Sequence, residues 1–285
     1  MATEVLVSAR SLSPQVRPPA IAIAAPEPQR RRVSLGPICV DSVDQAGAVE
    51  RVRAFAASGR PHQVVTVNLD FISIASRNAA FRKVINEADL AVADGMPLIW
   101  VSRLQREPLP ERIAGVELVL ESCHVAAEMG AGVFLLGAAE GVAEAAGERL
   151  RELCPGLAIV GSYSPRIGPL DPSENAYMLA KIRDAAPGFL FVALGAPRQD
   201  LWIREHQPQL QVPVAMGVGC VLDLLAGSVR RAPVWMQRSG LEWAFRLVQE
   251  PQRLWRRYLL NDLPTLAQLA CNGPAGDTEV MLLSS

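Results

Sequence analysis

The chain has 285 residues, half of them hydrophobic, which is enough for one large domain with or without a small appendage. Its formal net charge of -1 excludes a globally basic nucleic-acid-binding protein, so no nucleic acid is expected as a partner. The five cysteines are scattered without a Cys-x-x-Cys pair, which indicates a reducing cytoplasm and neither a disulfide framework nor a zinc site. No apolar run reaches the ~18 residues that span a bilayer, so the protein is not expected to cross a membrane.

The amino-terminal part of the chain differs in composition from the rest. Residues 1–32 are rich in Pro, Ala, Ser and Arg and are predicted to form a disordered tail. After this tail, a regular alternation of short apolar runs and segments of helical length begins. The first helix is predicted to be capped by Asp41 or Ser42 and to extend through Ser58, before Gly59.

The alternation predicts a mostly parallel, doubly wound α/β sheet of Rossmann-like architecture over residues 33–232. The predicted strands are Gln63–Asn68, Leu90–Ala93, Val133–Gly137, Ala158–Gly161, Phe189–Leu194 and Val212–Met216. The predicted helices are one that ends at Glu87, then Met96–Leu104, Val116–Glu128, Glu140–Leu153 and Ser173–Ala186. Residues 233–270 are predicted to be a helical appendage, and residues 271–285 a loose tail.

Two strand-to-loop passages late in the sheet are the strongest candidates for a ligand site. Ligands bind at the carboxyl ends of such strands, where glycines let them approach the backbone and helix N-termini offer N–H groups to phosphate. One such turn alone would favour a tight turn without function, whereas two with polar side chains favour a site. The candidate residues are Gly195, Arg198, Gln199, Gly217, Gly219 and Asp223.

Asp94 directly follows an apolar strand and precedes a glycine. A carboxylate at this place can be desolvated enough to act as a general base toward a hydroxyl. It can equally cap the following helix, and the spacing alone does not separate the two roles.

Three more polar side chains belong to candidate loops. Thr66 and Asn68 lie at the end of a strand and face one way, so they could orient a sugar or phosphate or merely close a turn. Arg112 follows two prolines in a loop, which suits bidentate binding of a diphosphate, although most arginines are simply at the surface. The sequence contains no Asp-x-Asp, and its glycine motifs are incomplete for NAD, so neither a metal nor a cofactor is expected.

The segment from Ser228 to Leu260 carries seven arginines against two glutamates, and three of the five tryptophans. Two helices are predicted there, Val234–Val248 and Pro251–Ala270. Their apolar residues could pack on the α/β body. Mixed Trp and Arg on short helices is also typical of a chain that lies in a membrane interface, and this second reading is favoured.

Taken together in chain order, these residues resemble the bacterial WecG/TagA/CpsF glycosyltransferases over roughly residues 33–258. The shared blocks are Thr66–Asn68, Ala88–Leu90, Asp94–Gly95, Glu111–Gly115, Phe134–Gly137, Gly195–Gln199, Gly217–Gly219, Asp223, Ala226–Gly227, Arg231–Pro233, Gly240–Trp243, Arg246, Glu250–Pro251, Arg253 and Arg256–Tyr258. Mild departures from the family pattern occur at Ala93, Asp200 and Leu222.

The resemblance implies inverting, metal-independent transfer of a hexose or N-acetylhexosamine from a UDP-sugar to a polyprenyl-diphosphate-linked acceptor in surface polysaccharide synthesis. Such an enzyme would work in the cytoplasm, peripherally at the inner face of the membrane, and a homo-oligomer is left open. It implies a catalytic base at Asp94, a site lined by Thr66, Asn68, Arg112 and Gln199, and acceptor-diphosphate contacts from an appendage at the membrane. The implied diphosphate contacts are Arg246, Arg253 and Arg256. A nucleotide-cofactor oxidoreductase and a non-catalytic membrane-surface module remain as alternatives.

Overall fold

The computed structural model describes residues 30–166, 168 and 171–271, and only the backbone of Arg238 and Arg253. Of the predicted tails, residues 1–29 and 272–285 lie outside the described residues. The loose tail predicted from residue 271 was wrong at Cys271, which is the last residue of a helix.

The described chain begins with a hairpin, which the sequence did not predict. Strands β1 (Arg32–Leu35) and β2 (Ile38–Asp41) pair antiparallel in a sheet of their own. The tail prediction was wrong at Arg32, because this guanidinium donates to the carbonyl oxygens of Asn86 (2.6 Å) and Cys39 (2.5 Å) and so ties the first strand to the body.

The main sheet has six strands, every hydrogen-bonded pair of which is parallel. The strands are β3 (His62–Val67), β4 (Leu90–Ala93), β5 (Gly132–Gly137), β6 (Ala158–Tyr163), β7 (Phe189–Ala193) and β8 (Val214–Gly217). Their order is β4-β3-β8-β7-β5-β6, so the predicted doubly wound α/β sheet is confirmed. Continuous apolar runs form these strands because helices bury both faces of the sheet.

Within the part of the chain that the structure describes, nine helices of the body follow the strands or connect them. They are α1 (Gln45–Ser58), α2 (Leu69–Arg77), α3 (Ala79–Glu87), α4 (Met96–Leu104), α5 (Gly115–Met129), α6 (Val142–Leu153), α7 (Pro172–Ala185), α8 (Arg198–Leu210) and α9 (Val221–Leu225). Helices α1, α5 and α6 pack in one core cluster, while α2, α3 and α4 pack in a second and α7 and α8 in a third. Successive strand residues such as Val64 and Val65 contribute to different clusters, as the two-residue period of a strand requires.

The predicted cap of the first helix was wrong. Asp44 is the cap, and its Oδ1 accepts the Gly47 N–H at 2.8 Å. Asp41 is buried instead, where it accepts the Ala91 N–H at 2.8 Å and pairs with Arg51 at 3.0 Å. A carboxylate that already has buried partners is not available as a cap.

The helix predicted to end at Glu87 is two helices. Asn78 ends α2 and starts α3, with extended backbone (φ −124°, ψ 99°) and a side chain that accepts the Phe81 N–H at 3.0 Å. Asparagine competes with helical hydrogen bonds through its side chain, which explains the break.

The last part of the chain, residues 234–271, is named here the C-terminal segment. It consists of α10 (Val234–Arg238), α11 (Glu242–Gln249), α12 (Pro251–Arg256), a π-helical stretch (Arg257–Asp262) and α13 (Leu263–Cys271). The single helix predicted over Val234–Val248 was wrong, because Gly240 adopts φ 75° between α10 and α11. Within the described residues, no helix has the length and apolarity needed to cross a membrane.

Candidate functional site

The site lies at the carboxyl ends of β3, β4 and β8, which are neighbours in the sheet. Thr66 near the end of β3 donates to the carbonyl oxygen of Gly217 at the end of β8, at 3.3 Å. Asp94 follows β4, and its backbone N–H donates to the carbonyl oxygen of Val67 at 2.6 Å. Thr66 and Asp94 therefore come from adjacent strands of the sheet.

The Asp94 carboxylate does not cap the helix that follows it. The residue that precedes α4 is Gly95, without any side-chain cap. The Asp94 Oδ2 instead accepts the N–H of Gly115, the first residue of α5, at 3.1 Å. A Cβ at Gly115 would lie only 3.4 Å from that oxygen, so the glycine allows α5 to start close to the carboxylate. The capping role left open by the sequence is therefore wrong for α4.

The surroundings of Asp94 shift the pKa of its carboxyl toward neutral pH. Burial raises the pKa of this carboxyl from 3.8 to about 6, while the Arg112 charge and the Gly115 N–H act in the opposite direction. Part of the residue remains accessible to solvent. A carboxylate with this pKa is largely ionised at pH 7 and still basic enough to take a proton.

Arg112 is neither a free anion-binding group nor a surface arginine. Its Nη1 lies 2.9 Å from the Oε2 of Glu242 on α11, and the two side chains are only 15% and 25% exposed. The prediction of a diphosphate site built on Arg112 did not include this partner. The pair fastens α11 to the loop beside Asp94.

Arg246 lies one turn after Glu242 on the same helix and reaches the other side of the site. Its guanidinium lies close enough to Cys220 for its charge to lower the pKa of that thiol, whereas burial and, to a smaller extent, the charge of Asp94 raise that pKa. Helix α11 thus brings a glutamate to Arg112 and an arginine to Cys220. Sequence reasoning missed both Cys220 and Glu242. The only signal for Cys220 was its place directly after Gly219.

The other two candidate arginines of the C-terminal segment follow a break in the helix after Arg246. Glu250 between α11 and α12 has non-helical backbone (φ −128°, ψ 59°), so the two helices do not share one register. Arg253 lies on α12, and Arg256 is exposed with its guanidinium 5.3 Å from the ring of Trp255.

Gln199 packs closely against Gly217 and Gly219 at the end of β8. Gln199 is 2% exposed, and its Oε1 accepts the Gly219 N–H at 3.1 Å. A Cβ at Gly217 would approach the Asp200 carboxylate and come within 2.7 Å of the Gln199 Nε2. Protein atoms fill the space on the Cβ side of Gly217, so packing alone requires a glycine there. Burial raises the pKa of Asp200 to about 7.

Gly217→Ala is expected to lower the free energy of unfolding by about 1–3 kcal/mol, because overpacking forces the α8 side chains aside. Urea denaturation measures the change. Gly147→Ala within α6 is the matched control, since its Cβ would make only ordinary contacts at 3.5 Å or more. That control should gain about 0.5–1 kcal/mol, as alanine replaces glycine inside a helix. Equal changes in the two variants would contradict the packing role of Gly217.

Three of the remaining predicted site residues form hydrogen bonds with backbone groups in the described structure. Asn68 caps α2 by accepting the Phe71 N–H at 3.3 Å, which favours the turn-closing alternative. Arg198 donates to the carbonyl oxygen of Leu194 at 3.2 Å and to that of Gly168. The Asp223 carbonyl accepts the Val229 N–H at 3.2 Å, and Gly195 has φ 78° with open space where a Cβ would lie.

No group of three His, Cys, Asp or Glu residues that could hold a metal occurs within residues 30–166, 168 and 171–271. The arrangement as a whole offers one half-buried carboxylate, two guanidiniums and backbone N–H groups at the ends of parallel strands.

The sequence matches one protein family and several curated proteins. The family described as Glycosyl transferase WecG/TagA/CpsF family matches residues 33–275. Proteins of Staphylococcus aureus strains MW2 and NCTC 8325, named N-acetylglucosaminyldiphosphoundecaprenol N-acetyl-beta-D-mannosaminyltransferase, are each 32% identical over 218 residues. These alignments cover 76% of this chain and 84% of each relative.

Proposed function

The chain belongs to the WecG/TagA/CpsF family of glycosyl transferases, and from this premise we propose a reaction for its site. The enzyme transfers a hexose or N-acetylhexosamine from a UDP-sugar to a saccharide linked to polyprenyl diphosphate, with inversion and without a metal. The observation that carries the proposal is the half-buried Asp94 carboxylate, which lies near Arg112 and whose pKa is raised to about 6. The family favours this chemistry over the alternative of a nucleotide-cofactor oxidoreductase.

The chemical step requires a single carboxylate. The Asp94 carboxylate takes the proton of the acceptor hydroxyl while the hydroxyl oxygen forms a bond to the anomeric carbon of the donor sugar. The bond from that carbon to the UDP oxygen breaks, and UDP leaves with the electron pair. Attack from the face opposite UDP gives inversion. The relatives' name specifies a beta product, which an alpha-linked UDP-sugar would reach by inversion.

The negative charges of UDP and of the acceptor diphosphate need compensating positive groups. Arg246 is one candidate, since its charge acts on the Cys220 thiol, whose pKa also responds to the charge of Asp94. Arg112 can serve as well if an anion displaces or joins Glu242, since the pair is partly accessible. The backbone N–H groups after β7 and β8 add donors that cost no reorganisation.

The membrane is the proposed place of the reaction, because a polyprenyl-linked acceptor is anchored there. Exposed tryptophans in the C-terminal segment, Trp235 (63%), Trp243 (43%) and Trp255 (41%), support peripheral binding from the cytoplasmic side. The alternative of a non-catalytic membrane module shares this surface but assigns no task to the Asp94 carboxylate.

The test incubates the full chain with a panel of UDP-sugars and a polyprenyl-diphosphate-linked N-acetylglucosamine, with products measured by mass. UDP-N-acetylmannosamine is the first donor, following the name of the relatives. The expected result is a mass gain of one hexose or N-acetylhexosamine on the acceptor. An acceptor of unchanged mass with every donor would overturn the proposal.

Transfer is expected to persist in EDTA, because arginines and backbone N–H groups take the place of a cation at the departing UDP. Initial rates with EDTA, and with added magnesium or manganese, should agree within about twofold, since an essential metal would contribute several kcal/mol. A rate that falls in chelator and returns with either metal would contradict the metal-independent mechanism.

A further inference from the structure

The exposed end of α4 carries an unusual set of side chains for a helix of the body. Trp100 is 44% exposed and Leu104 is 62% exposed. Arg103 and Arg106 beside them are exposed as well, and none of the four side chains is acidic. Spacings of three and four residues place Trp100, Arg103 and Leu104 on one face of the helix.

This face continues into the C-terminal segment. A Cβ at Gly240, between α10 and α11, would meet the Trp100 ring at 2.7 Å, so the indole lies against that turn. On another side, the Gln105 Nε2 donates to the carbonyl oxygen of Leu269 on α13 at 3.3 Å. Exposed apolar side chains flank α4 in both of these neighbouring regions, among them Trp235, Leu241 and Leu263.

We propose that the exposed end of α4 (Trp100, Arg103, Leu104 and Arg106) is part of the surface that binds an anionic lipid bilayer. The membrane-binding surface is then built jointly by the α/β body and the C-terminal segment. The inference rests on the proposed function only in that a lipid-linked acceptor requires a membrane. Bilayer binding itself can be measured without any transfer.

The chemistry of these four residues favours a bilayer over a protein partner. An indole and a leucine can enter the region between head groups and acyl chains, while two arginines beside them contact lipid phosphates. The two arginines carry charge of one sign, which complements an anionic membrane surface. A second copy of this chain that presented the same face would bring the same positive charge to the contact.

The position of α4 relates the bilayer to the reaction. The helix begins at Met96, two residues after Asp94, and its nine residues span about 13 Å. A bilayer at the far end of α4 would therefore lie roughly one sugar and one diphosphate away from the base. That is the part of the acceptor that must reach from the lipid to the site.

The experiment measures sedimentation of the full chain with vesicles of phosphatidylcholine, with or without phosphatidylglycerol. Arg103→Gln/Arg106→Gln should bind anionic vesicles about 30-fold more weakly, because each basic residue near the surface contributes about fivefold. Leu104→Ser should weaken binding to both kinds of vesicle. Met129→Ser/Leu153→Ser is the matched control, since these residues are 39% and 37% exposed at the ends of α5 and α6, and it should bind like the unmodified chain.

Fluorescence gives a second readout that does not depend on affinity. Brominated phospholipids should quench the indole of Trp100, so Trp100→Phe should lose part of the quenching that the unmodified chain shows. Unchanged quenching in Trp100→Phe together with unchanged sedimentation of the arginine variant would overturn the inference. A different outcome is that the α4 variants change the mass of the protein in sedimentation without vesicles while their vesicle binding stays the same. That result would assign the surface to a second copy of the chain and would overturn the inference too.

Failure of this inference is distinguishable from failure of the proposed function. Transfer to an acceptor with a short, water-soluble isoprenoid chain should be unchanged in the α4 variants. If the unmodified chain transfers no sugar to any acceptor, the proposed reaction is wrong, and the vesicle results still decide the role of α4.

Discussion

Replacing Asp94 by Asn is expected to lower kcat by about two to four orders of magnitude, the usual contribution of a general base. Asn keeps the size of the side chain, and its carbonyl oxygen can still accept the Gly115 N–H. Fold and UDP binding should therefore remain, as measured by circular dichroism and UDP titration. A rate near that of the unmodified enzyme would remove Asp94 from the mechanism.

The pH dependence follows from the raised pKa of Asp94. Only the ionised carboxylate can accept a proton, so kcat/KM of the unmodified enzyme should rise with pH through about 6 and then level off. The residual activity of the Asn variant should lack this rise. A flat profile for the unmodified enzyme would contradict the assignment of Asp94 as the base.

The stability of the Asp94→Asn variant provides an independent check, because the substitution should lower activity without lowering stability. Because the pKa is about 6 in the folded protein and about 3.8 when unfolded, the folded state holds the proton more tightly. Asp94 therefore costs stability as the pH rises from about 4 to 6, and the full cost remains above that range. Asp94→Asn should have the same or a higher Tm at pH 7.5. Asp171→Asn is the matched control for activity, because asparagine caps α7 as well as aspartate does.

Arg246→Gln is expected to lower kcat/KM by about a hundred- to a thousandfold, the cost of losing one donor that stabilises developing charge. The guanidinium is half-buried and lies near Cys220, so vesicle binding should not change. The effect should be the same with a water-soluble acceptor, because the lost contact lies in the site.

Arg256→Gln is the contrasting variant on the same C-terminal segment. Arg256 is exposed beside Trp255, so its loss should weaken binding to anionic vesicles about fivefold and leave transfer to a water-soluble acceptor unchanged. Equal effects of the two substitutions on both measurements would contradict a division between a site arginine and a membrane arginine.

Local patterns in the sequence determined the parallel sheet and the position of Asp94. The strand Leu90–Ala93 and the helix Met96–Leu104 were predicted at their observed bounds, because an unbroken apolar run and a helical period depend only on neighbouring residues. The place of Asp94 at a strand end follows from the same pattern. Parallel pairing then brings Thr66 beside it without further information.

Contacts between distant residues were decided only by the tertiary structure. The sequence shows that Asp94 can cap a helix, but only packing shows that the N–H it binds belongs to Gly115. Likewise, Glu242 lies 130 residues after Arg112 and becomes its partner because α11 folds back over the site. Side-chain chemistry limits which partners are acceptable. The choice among them depends on which helices pack together, and no local period in the chain records that.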